Sequence, residues 1–208
     1  MKEKEIEDEL ASIRSMMERS SKFISLSGLS GILAGVYALI GATVAYFIIR
    51  GNPITRQISL IKFLANAIDI LISLIIIALI VLVASVFTAA ILSGRKAKRN
   101  GQFIWGKTSR VLLFNMAVPL FTGGIFIFIL LYQGYDAFII PSMLVFYGIS
   151  LVSAGNFTFT MVKYLGLSEI ALGLIAACLP GYGLLFWAFG FGVLHIIYGS
   201  LMYLKYDR

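Results

Sequence analysis

Charge is scarce in this sequence: Asp, Glu, Lys and Arg make up 13% of its 208 residues, while 60% are hydrophobic. A soluble domain carries about 25% charged residues, enough to wet its surface. With a mean hydropathy of +0.95, the apolar surface exceeds what an aqueous core can hide, so lipid is the expected solvent for most side chains. Cysteine is nearly absent. Cys178 alone excludes an internal disulfide and every multi-cysteine metal motif. His195 is the one histidine, which excludes a histidine-rich metal site, and no cofactor is expected. Gly-rich phosphate loops and a Ser or Cys nucleophile beside a base are also missing. The net charge of +7 is basic enough to suggest nucleic acid. Its cations, however, cluster between apolar runs, which is a topology signal, and no nucleic-acid partner is expected.

What is present is a succession of apolar runs, each measured against the roughly 20 residues needed to cross about 30 Å of hydrocarbon. They cover residues 23–49, 67–92, 111–132 and 137–161, followed by a stretch from Leu167 to Tyr203 too long for one helix. Pro180-Gly181-Tyr182-Gly183 is a turn signal inside that stretch. It divides the stretch into arms at 167–179 and 182–203. The first arm is short for a crossing, about 13 residues or roughly 20 Å of helix. The expected fold is therefore an all-α integral membrane protein of about six transmembrane helices, spanning residues 23–208. Residues 1–22 precede it as a charged segment, too polar and followed by too long an apolar run to be a secretory signal. Ile6, Leu10, Ile13, Met17 and, just beyond the segment, Ile24 share one helical stripe. It reads as an amphipathic cytoplasmic helix, either extending the first span, lying on the membrane or forming a short oligomerising seam.

Orientation follows from Lys and Arg in the short loops. Fourteen of the seventeen fall in the N-terminal segment, the 94–110 link, Lys163 and the C-terminal Lys205 and Arg208; Arg50, Arg56 and Lys62 fall opposite. That split predicts both termini in the cytoplasm. An odd number of crossings would put Lys205 and Arg208 outside, which favours six. The tail Gly190–Tyr206 (GFGVLHIIYGSLMYLKY) and the opening stretch Ser25–Ala42 (SLSGLSGILAGVYALIGA) resemble segments of small multi-pass bacterial inner-membrane proteins. The resemblance implies a plasma-membrane setting and no particular activity.

Several residues within this frame invite a functional reading. Ser27, Gly31 and Gly35 recur every fourth position, and Gly192 and Gly199 lie one heptad apart in the last span. Small residues at such intervals let helix backbones approach, either within one subunit or across a homo-oligomer. Arg95, Lys96, Lys98 and Arg99, with Trp105 nearby, would suit anionic lipid headgroups, although ordinary topology asks for the same residues. Asp69 reads as an acid in the first turn of its span. Asn66, Asn115 and Asn156 suit ties between helices.

Glu169 and His195 carry the sharpest expectation. Counted from Gly181, they lie about 18 Å and about 21 Å down the two arms of the hairpin, at nearly one depth. Each shares a face with small residues: Gly173 and Ala176 for Glu169, Ala188, Gly192 and Gly199 for His195. An acid and an imidazole at matched depth can exchange a proton or bind a cation. The plainer alternative makes Ser168-Glu169 a helix start and leaves His195 bonded to a neighbouring carbonyl or hydroxyl. Three functions remain compatible with the sequence. They are a non-catalytic assembly or regulatory component with a membrane partner protein, a small ion- or proton-coupled transporter or channel using Glu169 and His195, and a lipid-modifying enzyme.

Overall fold

The computed structural model describes residues 26–51, 60–99 and 106–207. Among these residues no strand forms, and six helices are long and apolar enough to cross a membrane. They are α1 (Gly28–Gly51), α2 (Leu60–Arg99), α3 (Lys107–Tyr132), α4 (Ile139–Ala154), α5 (Thr160–Cys178) and α6 (Gly183–Tyr206). A single 3-10 turn, Asp136–Phe138, leads into α4. Long apolar runs with few breakers satisfy their backbone groups internally only by coiling into helix. The expected N-terminal helix at 1–22, and Trp105, lie outside the described residues.

The structure departs from the expected boundaries in two places. The run at 137–161 is not one helix: α4 ends at Ala154, the chain turns through 155–159, and α5 begins at Thr160. The turn is fixed by packing rather than polarity. Phe157 and Phe159 fold onto a cluster of Leu112, Leu151, Ala154, Val162 and Leu165, and Gly155 lies against the Lys163 backbone, where a Cβ would sit 2.9 Å from its nitrogen. The short arm expected at 167–179 is consequently a 19-residue helix. Ser168 is not a cap there; its hydroxyl donates to the Tyr164 carbonyl within the helix, and Glu169 stands in mid-helix. The second departure is α2, a 40-residue helix that begins at Leu60. Asp69 is thus an exposed residue well past the first turn and not a terminal acid. At about 60 Å, α2 is twice as long as a hydrocarbon core is thick.

Four helices form the centre. α6 packs against α1, α4 and α5, and α4 packs broadly on α5; α2 flanks α1, and α3 flanks α4. The closest approaches are made by glycine. A Cβ on Gly199 would lie 2.4 Å from the Ile32 nitrogen, and one on Gly28 would lie 2.3 Å from the Tyr203 nitrogen. Gly35 faces the Gly192 carbonyl in the same way, with Gly31 opposite Gly199. Gly148 and Gly166 repeat the device between α4 and α5, each 2.6 Å from the other's carbonyl oxygen once a Cβ is added. No side chain larger than hydrogen fits at these crossings without moving backbone.

One end of the bundle is tied by ions. The Asp207 carboxylate, just past α6, accepts the Gly28 amide (2.8 Å) and the Ser27 hydroxyl (3.2 Å), which caps α1. It also pairs with the Lys96 ammonium at the end of α2, and Lys96 donates to the Leu26 carbonyl at 3.0 Å. Phe159 stacks on Tyr206 with ring centres 4.2 Å apart and lies 5.7 Å from the Lys96 ammonium. The start of α1, the ends of α2 and α6 and the approach to α5 therefore meet at one face.

Candidate functional site

α5 and α6 descend from the turn at Gly181, whose φ of +98° is a backbone conformation glycine adopts at little cost. The two arms lean on α4, and each of the three helices contributes one polar side chain near its midpoint. Glu169 comes from α5, His195 from α6 and Tyr147 from α4. Glu169 is 0% exposed and His195 6%.

The local shape of α6 brings His195 into place. Ala188–Leu194 winds as a π-helix before α-helical winding resumes at His195. A π segment fits more residues into each turn, so it rotates every later side chain relative to an unbroken α-helix. Gly190 and Gly192 make the wide turn compact: Gly190 leaves room for the Glu169 carboxylate, and Gly192 admits Leu39 of α1.

His195 is held at both ring nitrogens. Nδ1 lies 3.0 Å from the Gly190 carbonyl, and Nε2 lies 2.7 Å from the Tyr147 hydroxyl. A carbonyl only accepts, so Nδ1 of the neutral ring carries the proton and donates to Gly190, while Nε2 accepts the Tyr147 O–H. Tyr147 and Phe191 also flank the imidazole ring, with centroids 5.5 and 6.1 Å away.

Glu169 is treated differently. Its Oε1 stands 3.5 Å from His195 Nδ1, beyond a well-formed hydrogen bond. Neither carboxyl oxygen accepts a hydrogen bond from any described residue. The Leu144 and Leu172 side chains converge with the carboxylate on the face of Gly190. Burying an ionised carboxylate without donors costs on the order of several kcal/mol, so the group needs a companion proton or cation. One turn beyond His195, the Tyr198 hydroxyl is likewise buried without a partner.

The remaining candidates separate. Gly31, Gly35, Gly192 and Gly199 meet at the α1–α6 crossing inside one chain, and Ser27 turns to Asp207. Arg95, Lys98 and Arg99 are exposed at the end of α2. Lys96 departs from that expected headgroup patch, because it points inward to Asp207 and its side chain is 16% exposed. Asn115 does not tie two helices; it donates to the Val111 carbonyl of its own helix. Among the described residues no three His, Cys, Asp or Glu side chains gather as a metal site.

Sequence reasoning missed Tyr147, Tyr198 and Asp207. A tyrosine in an apolar run has no signature that separates an internal hydroxyl from an interfacial one, and Asp207 gains its role only through the folded ends of α1 and α2. Comparison of the chain with protein-family models, with curated proteins and with solved structures finds no match.

Proposed function

We propose that this chain is an integral protein of a bacterial inner membrane, crossing it six times with both termini in the cytoplasm. Six apolar helices support the crossing number. The fourteen-to-three split of Lys and Arg supports the orientation, as does the meeting of Leu26 and Asp207 at one end of the bundle. Reporter fusions after Arg99 and after Gln133 test it. The first is expected on the cytoplasmic side and the second outside, and the reverse pattern overturns the orientation.

Within the membrane the protein acts as a non-catalytic assembly or regulatory component. The observation that carries this reading is the enclosure of Glu169 and His195. Glu169 is 0% exposed and His195 6%, and the Leu144 and Leu172 side chains converge with the Glu169 carboxylate on Gly190, which supports a packed interior there. α2 suits such a role, since its outer surface from Leu71 to Phe87 is apolar and exposed and its broad helix packing is against α1. A photo-crosslinking side chain at Leu79 or Val83, read in native membranes, tests this. Adducts to a second protein chain are expected, and adducts to lipid alone overturn it.

A second reading, a small proton- or ion-coupled transporter using Glu169 and His195, is favoured by one observation, the carboxylate that lacks any donor. Ion flux in proteoliposomes that disappears in Glu169→Gln would establish transport in place of the component role.

A further inference from the structure

We propose that Glu169, His195 and Tyr147 form a proton-binding site that is loaded from one end of the bundle only, the end where Leu26 and Asp207 lie, with the Tyr198 hydroxyl as its inlet. This goes beyond both functional readings, because the site takes up a proton whether the chain is a passive component or a carrier.

The ligand class follows from space and charge. The Glu169 carboxyl is fully buried and has no donor, yet Leu144, Leu172 and Gly190 occupy its surroundings. A metal ion would need several oxygen ligands at about 2.0–2.6 Å, and Glu169 is the one carboxylate present. A proton needs no volume and no ligand shell.

The direction of loading follows from where the hydroxyls are. Towards the Gly181 turn, residues 170–178 of α5 and 183–194 of α6 contain no hydroxyl, amide or charged side chain, and residues 139–146 of α4 offer Ser142 alone. Towards the other end, Tyr147 bonds His195 at 2.7 Å. Tyr198, one turn beyond His195, packs with Tyr147 on the cluster of Leu112, Leu151 and Leu165, and its buried hydroxyl has no partner among the described residues. The ionisable groups around Glu169 are His195 from α6 and, bonded to His195, Tyr147 from α4, with Tyr198 one turn further along α6. α1 contributes none to this face: Tyr37 turns to Thr88 of α2 and Tyr46 to Arg50.

Each bond in the transfer has a donor and an acceptor. An incoming proton reaches the Tyr147 oxygen when the unpartnered Tyr198 hydroxyl swings to it and is itself reprotonated from the aqueous end, as Tyr147 gives its own proton to His195 Nε2. The Nδ1 proton of His195 crosses the 3.5 Å gap to Glu169 Oε1. One proton has entered, and the carboxylate has become a carboxylic acid. The imidazole has exchanged its Nδ1–H for an Nε2–H. The loaded state is hydrogen-bonded in the opposite sense, with the Glu169 O–H donating to Nδ1 and Nε2–H donating to Tyr147. Loading thus gives Glu169 a partner and takes the donor from the Gly190 carbonyl inside the π-helix, where the backbone of α6 would register the change.

Infrared difference spectroscopy of the full chain in lipid nanodiscs tests the proposal. The wild type should show the carbonyl stretch of a protonated carboxyl group that varies with bulk pH and shifts in heavy water. Glu169→Gln should lose it, and glutamate carrying ¹³C at its carboxyl should shift it in the wild type should that variant not fold. Tyr198→Phe should keep the band but slow its hydrogen–deuterium exchange several-fold, while Ser142→Ala leaves the rate unchanged. A band that persists in Glu169→Gln, the absence of a pH-dependent band from the wild type, or exchange that slows in Ser142→Ala but not in Tyr198→Phe would overturn it.

Discussion

α2 and the helices of the α5–α6 hairpin are all apolar enough to cross a membrane, yet they are used in opposite ways. The most hydrophobic stretch of α2 has no buried residue, and large side chains such as Leu79, Ile80, Val83 and Phe87 point outward. In the hairpin the apolar residues share the helix with Gly166, Gly173, Gly190, Gly192 and Gly199, and those glycines decide which surfaces meet. In lipid, a leucine gains little by leaving one hydrocarbon environment for another. Helices therefore associate where small residues let backbones touch and where polar groups need each other. Apolarity places a segment in the bilayer, and smallness and polarity choose its neighbours.

Glycine substitutions break the comparison most sharply. Gly148→Leu should cost about 3 kcal/mol or more, because its side chain meets the Gly166 carbonyl and the backbone of α5. Gly124→Leu in the marginal α3, where a Cβ meets nothing within 4 Å, should leave the protein as stable as before. Unfolding in detergent followed by circular dichroism distinguishes the two, and equal losses would abolish the distinction between centre and margin. Next in size is the ionic tie. Lys96→Met leaves the Asp207 carboxylate without its cation and should cost about 2–3 kcal/mol. Trypsin cleavage near the end of α2 should accelerate with it.

Glu169→Met probes the interior with the opposite sign. At a pH above that of proton uptake, replacing a buried carboxylate that has no donors by an apolar side chain of similar size should raise stability by roughly 1–2 kcal/mol. A marked loss of thermal stability would mean that the carboxyl is held by a partner, and would contradict its isolation. The smallest effect belongs to the outside of α2, where Leu79→Ala or Val83→Ala should change stability by less than about 0.5 kcal/mol. A larger loss in native membranes than in the purified protein would reveal a bound neighbour on that face.

Much of the helical order was legible because the hydrocarbon requirement acts on composition. Long runs such as 111–132 and the Pro180-Gly181 turn need no tertiary information to be recognised. The boundary between α4 and α5 was hidden, since Phe157 and Phe159 look like continued membrane-spanning sequence and turn only because they pack onto Leu151 and Val162. Glu169 and His195 stood out by being ionisable within apolar surroundings, and helix rise alone put them at similar depth. Tyr147 did not stand out, because facing His195 depends on how α4 is rotated.

The amino-acid order by itself determined the apolar helices, the uneven division of lysine and arginine among the segments that link them, and the rarity of acid and imidazole between them, because each can be read one segment at a time. Only the tertiary structure decided that Lys96 turns away from the surface to Asp207, that α6 widens into a π turn at Gly190, and that Tyr147 and Glu169 stand on either side of His195. Those outcomes depend on backbones meeting at glycine crossings, and the angle at which two helices cross belongs to the pair and not to either sequence alone.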